Sequence, residues 1–252
     1  MDQNLINAGQ ANFNLPHDVV PLPSGGLFYK SKKKSVKVGY LTAPDEDILM
    51  SSAQNSDSNI VLNLLGSKIY EPDLRPHDMV EADIEAILIF LRNSSFGPEY
   101  TLNLRDPKTD KPFQATVVLD EFNIRKTDNL PDENGFFVVN LQKSGFQVKV
   151  RPLTYSEKLD IERMVESYPV GRTAPKTRWF LSKVIVEANG SSDSLAIENL
   201  INSMPIQDSK DIRKFLRANV PSLDLSKTVK APSGENVSFE IAFGVEFFRP
   251  FF

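Results

Sequence analysis

Val36-Lys37-Val38-Gly39-Tyr40-Leu41-Thr42 recurs 112 residues further on as Val148-Lys149-Val150-Arg151-Pro152-Leu153-Thr154, identical at five of seven positions. In the first copy Val36, Val38 and Tyr40 alternate with Lys37 and Gly39, the period-two pattern of a half-buried strand. In each copy the closing threonine is followed at the third position by an acid, Asp45 or Glu157, the spacing of a helix-capping box. A strand that hands over to a capped helix, twice, predicts an α+β chain of two related strand-helices-hairpin modules, an internal duplication.

The stretches between the two copies fill in the modules. Pro44 suits the first turn of a helix, and Asp45-Glu46-Asp47 favours the positive end of its dipole. A second helix is expected from Asp57 or Ser58 to Ile69. A third is expected from Asp78, with Ile84, Ile87, Leu88 and Leu91 at i, i+3, i+4 and i+7 before Gly97. Two β-rich runs, 100–105 and 114–120, flank the turn Asp106-Pro107-Lys108-Thr109-Asp110 and read as a hairpin; 136–141 and 146–152 read as another across Lys143-Ser144-Gly145.

Helical stripes return in the second half: Ile161, Met164, Val165 and Tyr168; then Leu181, Val184, Ile185 and Ala188; then Ile197, Leu200, Ile201 and Met204; then Ile212, Phe215 and Leu216 within 208–219. The turn Ala231-Pro232-Ser233-Gly234-Glu235 is the counterpart of 106–110. A terminal strand is expected to place Phe239, Ile241, Phe243, Val245 and Phe247 on one face. The expected organisation is an extended N-terminal arm and basic loop over 1–35, a first α+β module over 36–125, and a second over 126–252 that ends in the Phe-rich strand.

A length of 252 residues suits one large domain or two small ones at roughly 100 to 200 residues each. The composition, 25% charged and 40% hydrophobic, is that of a globular chain. The longest apolar run, Ala86 to Leu91, is six residues, against about 20 for a membrane-spanning helix. Residues 1–15 are polar and Asn-rich and lack the basic-then-apolar order of a signal peptide, so the cytosol is the expected working compartment. The absence of cysteine excludes disulfides, thiolate zinc sites, iron–sulfur clusters and a Cys nucleophile. His17 and His77 form no i, i+4 pair, and no Walker A, GxGxxG or GxSxG pattern is present. No cofactor and no enzymatic activity are expected; dispersed carboxylates leave a hydrolase as a remote alternative. A net charge of −4 and a pI near 5.4 argue against nucleic acid as partner.

Lys30, Lys32, Lys33, Lys34 and Lys37 form a basic run, read first as a solvated loop and otherwise as a contact for a phosphate backbone or an acidic protein. Asp106 with Asp110, or Asp45 to Asp47, offer carboxylates for a divalent cation, but turn chemistry and helix capping explain both without one. Six of the chain's 17 phenylalanines fall in its last 14 residues: Phe239, Phe243, Phe247, Phe248, Phe251 and Phe252. Burying such a ring gains roughly 1.5 to 3 kcal/mol, so each is expected either on the chain's own core or in another subunit. Phe28, Tyr29, Phe248, Phe251 and Phe252 are the candidate partner-binding residues.

Leu22-Pro23-Ser24-Gly25-Gly26-Leu27-Phe28-Tyr29, Leu41-Thr42-Ala43-Pro44-Asp45-Glu46-Asp47-Ile48-Leu49, Arg92-Asn93-Ser94-Ser95-Phe96-Gly97-Pro98-Glu99-Tyr100 and Phe247-Phe248-Arg249-Pro250 span nearly the whole chain. In this order they resemble the baseplate hub subunit family of T-even-like contractile-tailed bacteriophages. The resemblance implies a structural protein of the virion tail baseplate, assembled in the host cytoplasm through contacts with other hub proteins, with self-association as an option. It equally admits a transient assembly chaperone that leaves the finished particle. Where relatives carry Cys-x-x-Cys in the hairpin turns, this chain has Pro107 and Pro232 and no cysteine, so the resemblance carries over no zinc knuckle.

Overall fold

The structure, a computed structural model, describes residues 16–50, 57–120, 122–125, 127 and 129–248. Strand β1 (His17–Pro21) pairs antiparallel with β2 (Ser35–Gly39), which holds the first copy of the repeat, Val20 lying opposite Val36. Within the N-terminal arm, His17–Pro21 is an extended strand used inside the fold, and residues 23–31 run as consecutive turns. The second copy forms β7 (Gln147–Val150), antiparallel to β6 (Phe137–Asn140). Val38 bridges Ile69 and Val150 pairs with Ile185, each partner being the first residue past the end of a helix.

Both strands then enter capped helices. Ahead of α1 (Ala43–Met50), the Asp45 carboxylate accepts from the Thr42 backbone N–H at 2.7 Å and from its hydroxyl at 2.6 Å. Ahead of α4 (Tyr155–Glu166) the reciprocal box is complete: Glu157 accepts from the Thr154 N–H at 3.0 Å, and Thr154 Oγ1 accepts from the Glu157 N–H at 3.3 Å. Arg151 adds a two-pronged ion pair to Glu157 at 2.8 and 2.7 Å.

After α2 (Asp57–Lys68), α3 (Glu81–Phe96) begins three residues later than its acidic signal predicts. Asp78 closes a 3-10 turn at Pro76–Asp78, and Met79 and Val80 run extended because both side chains are drawn into the core. The apolar stripe Ile84, Ile87, Leu88 and Leu91 is fully buried, as its spacing requires. β3 (Glu99–Arg105) and β4 (Pro112–Val118) form the expected hairpin.

Two expectations are corrected. The stripe ending at Ala188 is only half helix: α5 (Lys176–Val184) stops and β8 (Ile185–Ala188) joins β7 as the third strand of a sheet ordered β6-β7-β8. Three consecutive β-branched residues, Val184-Ile185-Val186, suit a strand better than a helix interior. The terminal strand is also short. β10 (Ser226–Lys230) and β11 (Asn236–Glu240) form a hairpin, but the chain then turns and Val245–Phe248 is a 3-10 turn. Alternation would bury Phe247 and expose Phe248; the turn buries both.

α6 (Ser194–Ser203) is capped by Asp193, and α7 (Ile206–Asn219) starts two residues ahead of the expected Asp208. Short strands β5 (Ile124–Arg125) and β9 (Ser222–Leu223) pair antiparallel. Burial divides between two cores. One gathers Val36, Val38, Leu65, Ile84, Leu88 and Leu91 together with Leu225, Ile241, Phe247 and Phe248 from the far end of the chain. The other gathers Val148, Val150, Leu181, Val184, Ile197 and Ile212. Phe28 packs against both.

Candidate protein-interaction site

The loop 22–29 is bound to α3 by a buried carboxylate. Asp83 accepts from the Ser24 backbone N–H at 2.8 Å, from its hydroxyl at 2.5 Å, and from the Tyr29 hydroxyl at 2.5 Å, while Tyr29 Oη accepts from the Val80 N–H at 3.0 Å. Burial, then the Asp83 charge, pushes the Tyr29 phenol far above its ordinary value. Burial likewise raises the Asp83 carboxyl despite its three donors.

Tyr29 is thus inside the fold. Phe248 is equally buried, its ring edge-on to Phe247 at 5.3 Å, with Phe243 and Tyr100 against Phe247 at 4.9 and 5.4 Å. For Phe248, docking on the chain's own core is the outcome. Phe28 is half-buried beside Phe137, ring centres 6.1 Å apart. Phe251 and Phe252 lie outside the described residues. The structure brings the three described candidates, Phe28, Tyr29 and Phe248, to no common surface.

The basic loop also has internal work. Lys33 bonds Glu71 and, at 2.6 Å, Asp73, and Lys32 Nζ donates to the Leu27 carbonyl at 2.9 Å. Asp45 pairs with Lys68 across the α1–α2 contact. Asp106 accepts from the Lys108 and Thr109 N–H groups at 2.9 and 3.2 Å, and from Ser233. Among the described residues no group of three or more His, Asp or Glu side chains could hold a metal ion.

What the sequence reading did not find is a cleft of about 480 Å³ where elements of the two cores meet. One set of its lining charges is acidic, Glu81 and Glu85 of α3 and Glu240 of β11; the other is basic, Arg125 of β5 and Arg213 and Arg217 of α7. Leu153, Phe180, Leu216 and Leu225 supply apolar surface. A neighbouring cavity of about 300 Å³ shares Glu81, Glu85, Leu225 and Glu240, and adds Tyr155 and Lys158 of α4.

Glu85 is 9% exposed, and among the described residues no hydrogen bond or ion pair reaches its carboxylate. Lys158, the cation facing it, is bound to Glu81 and lies 3.8 Å from Glu162. Burial first, and then the charge of Glu81, pushes the Glu85 carboxyl up to about 8, with Lys158 pulling it down and Glu240 adding to the rise. Glu81 and Glu85 stand at i and i+4, a like-charge spacing that destabilises a helix unless something else is gained. That spacing is the one sequence signal that could have drawn attention to this wall.

A family model described as T4 bacteriophage base plate protein matches residues 27–249. Comparison with curated proteins and with solved structures finds no match.

Proposed function

The chain belongs to the family of T4 bacteriophage base plate proteins, a structural component of the virion tail, and from that premise we propose that it is a subunit of the baseplate hub that acts by protein–protein contacts and not by catalysis. Other baseplate components are its partners. The observation that carries this reading is the extent of the match, residues 27–249, which takes in α1 to α7, the hairpins β3–β4, β6–β7 and β10–β11, and most of both cores.

The role of the motif residues supports it. Ser24 and Tyr29 fasten the loop to Asp83. Arg92, wholly buried, donates to the Gly97 carbonyl and, at 2.7 Å, to the Glu99 carbonyl, and its guanidinium stands 5.0 Å from the centre of the Tyr100 ring. Phe247 and Phe248 close the same core. These stretches set up a rigid scaffold, which is what a subunit that works by presenting surfaces requires.

Phage that cannot make this chain should accumulate tail intermediates without complete baseplates, and supplying the chain should restore them. Complete, functional tails formed in its absence would contradict the reading.

A further inference from the structure

We propose that the cleft between the two cores receives an extended segment of another baseplate protein, which sets a Lys or Arg side chain against Glu85 and an Asp or Glu against Arg125, Arg213 and Arg217. This inference rests on the baseplate reading and names the chemistry of the contact.

The starting point is Glu85. A carboxyl group largely shielded from water on a cleft wall, with neither a hydrogen bond nor an ion pair, is costly to ionise, and native proteins usually supply such a group with a partner. Every group around it fails to do so. Glu81, one turn earlier on α3, and Glu240 of β11 carry the wrong sign. Tyr155 lies on the neighbouring α4 without a hydrogen bond to Glu85, and Lys158 on the same helix is committed to Glu81.

The basic wall is more open to solvent, with Arg125 and Arg217 exposed and Arg213 half-buried, and it too lacks a partner of opposite charge among the described residues. Arg125 and Arg213 donate to backbone carbonyls, of Arg217 and, at 3.1 Å, of Ser209. Among the described residues no carboxylate pairs with Arg125, Arg213 or Arg217. Two sets of opposite charge line one cavity and do not meet, so a ligand that satisfies both must carry both signs and span the space between. The two adjoining cavities continue past Glu85, and apolar side chains lie among the charges. An extended peptide bearing a basic and an acidic residue among apolar ones has that chemistry.

The test uses full-length chain supplied to phage that lack it, with the amount entering purified baseplates measured by mass spectrometry. Glu85→Gln preserves shape and removes the carboxyl that can ionise against a partner's cation; Glu85→Asp keeps an ionisable carboxyl. Circular dichroism should show both folded. Glu85→Gln should enter baseplates at least tenfold less than wild type, and Glu85→Asp within about threefold of it. Entry of Glu85→Gln at the wild-type level overturns the proposal, and so does equal failure of both variants, because the carboxylate is then not what the partner reads. A dimer of the free chain that Glu85→Gln abolishes would assign the cleft to a second copy and overturn it as well. Failure of the wild-type chain to enter baseplates would strike the hub reading itself, which keeps the two failures distinct.

Discussion

Asp106, in the turn of the first hairpin, accepts hydrogen bonds from the backbone N–H of Ser233 at 2.9 Å and from its hydroxyl at 2.8 Å, although Ser233 lies 127 residues later, in the turn of the last hairpin. The carboxylate also takes the N–H groups of Lys108 and Thr109, so one side chain both shapes its own turn and clasps its counterpart. In a chain without cysteine, this polar clasp is what joins the two turns.

Burial raises the Asp106 carboxyl, but the bonds from Ser233, Lys108 and Thr109 outweigh it and hold the group below the usual carboxylate range. A depressed folded value contributes stability that is present above the unfolded value and lost as pH falls through the folded one. Acid unfolding followed by fluorescence should therefore show wild type losing stability below about pH 4, with Asp106→Ala already weakened at pH 7 and flatter in acid. Ser233→Ala should cost about 1 kcal/mol in urea unfolding, less than Asp106→Ala, and the two losses should be less than additive.

Glu85 has the opposite sign. Its carboxyl is raised from 4.5 to about 8, so the folded state holds a proton that the unfolded state releases, and stability declines as pH rises through that window. Each pH unit of offset is worth about 1.4 kcal/mol at most. Glu85→Gln should accordingly raise the Tm at pH 8, by about 1 kcal/mol or more of stability, and have little effect at pH 4.5. A lower Tm for the variant at pH 8 would contradict the unpaired carboxyl.

Gly25 and Gly26 are adjacent and both have positive φ, 60° and 75°, yet they should respond differently to alanine. A Cβ on Gly25 meets open space, and the left-handed backbone alone should cost about 1 kcal/mol. A Cβ on Gly26 would stand 2.2 Å from the Lys33 carbonyl oxygen, where the backbone must move. Gly26→Ala should lose at least twice as much as Gly25→Ala in denaturant midpoints.

Arg92 joins the end of α3 to β3 and to the C-terminal aromatic group. Its guanidinium faces Tyr100 at 5.0 Å and Phe247 at 6.0 Å while bonding the Gly97 and Glu99 carbonyls. Arg92→Ala should cost about 3 kcal/mol or more in urea unfolding, removing the bonds to the Gly97 and Glu99 carbonyls and leaving a cavity against the rings. Arg92→Lys should recover little of this, since an ammonium cannot fork to both carbonyls and stack.

Local chemistry was legible in the sequence wherever a single element determines it. The box at Thr154 and Glu157, the stripe on α3 and the turn at 106–110 depend on neighbours a few residues away, and each formed as read. Reading failed where the partner is distant. Val184, Ile185 and Ala188 fit a helix by spacing, and only pairing with β7 makes Ile185 to Ala188 a strand. Phe248 breaks the terminal alternation because the interior offers it a place beside Phe247. The cleft was illegible for the same reason: Glu85, Arg125, Arg213 and Glu240 are far apart in the chain, and beyond the like-charge spacing of Glu81 and Glu85 nothing in each residue's own surroundings distinguishes it from a solvated charge.

The central claim is that this chain is a structural part of the baseplate hub. Quantitative mass spectrometry of purified, intact phage particles, normalised to a known baseplate protein, tests it most directly. The account predicts the chain at a fixed ratio of a few copies per tail. Its absence from particles, with abundance in the infected lysate, would contradict a structural place in the hub and make it a factor that acts during assembly and leaves.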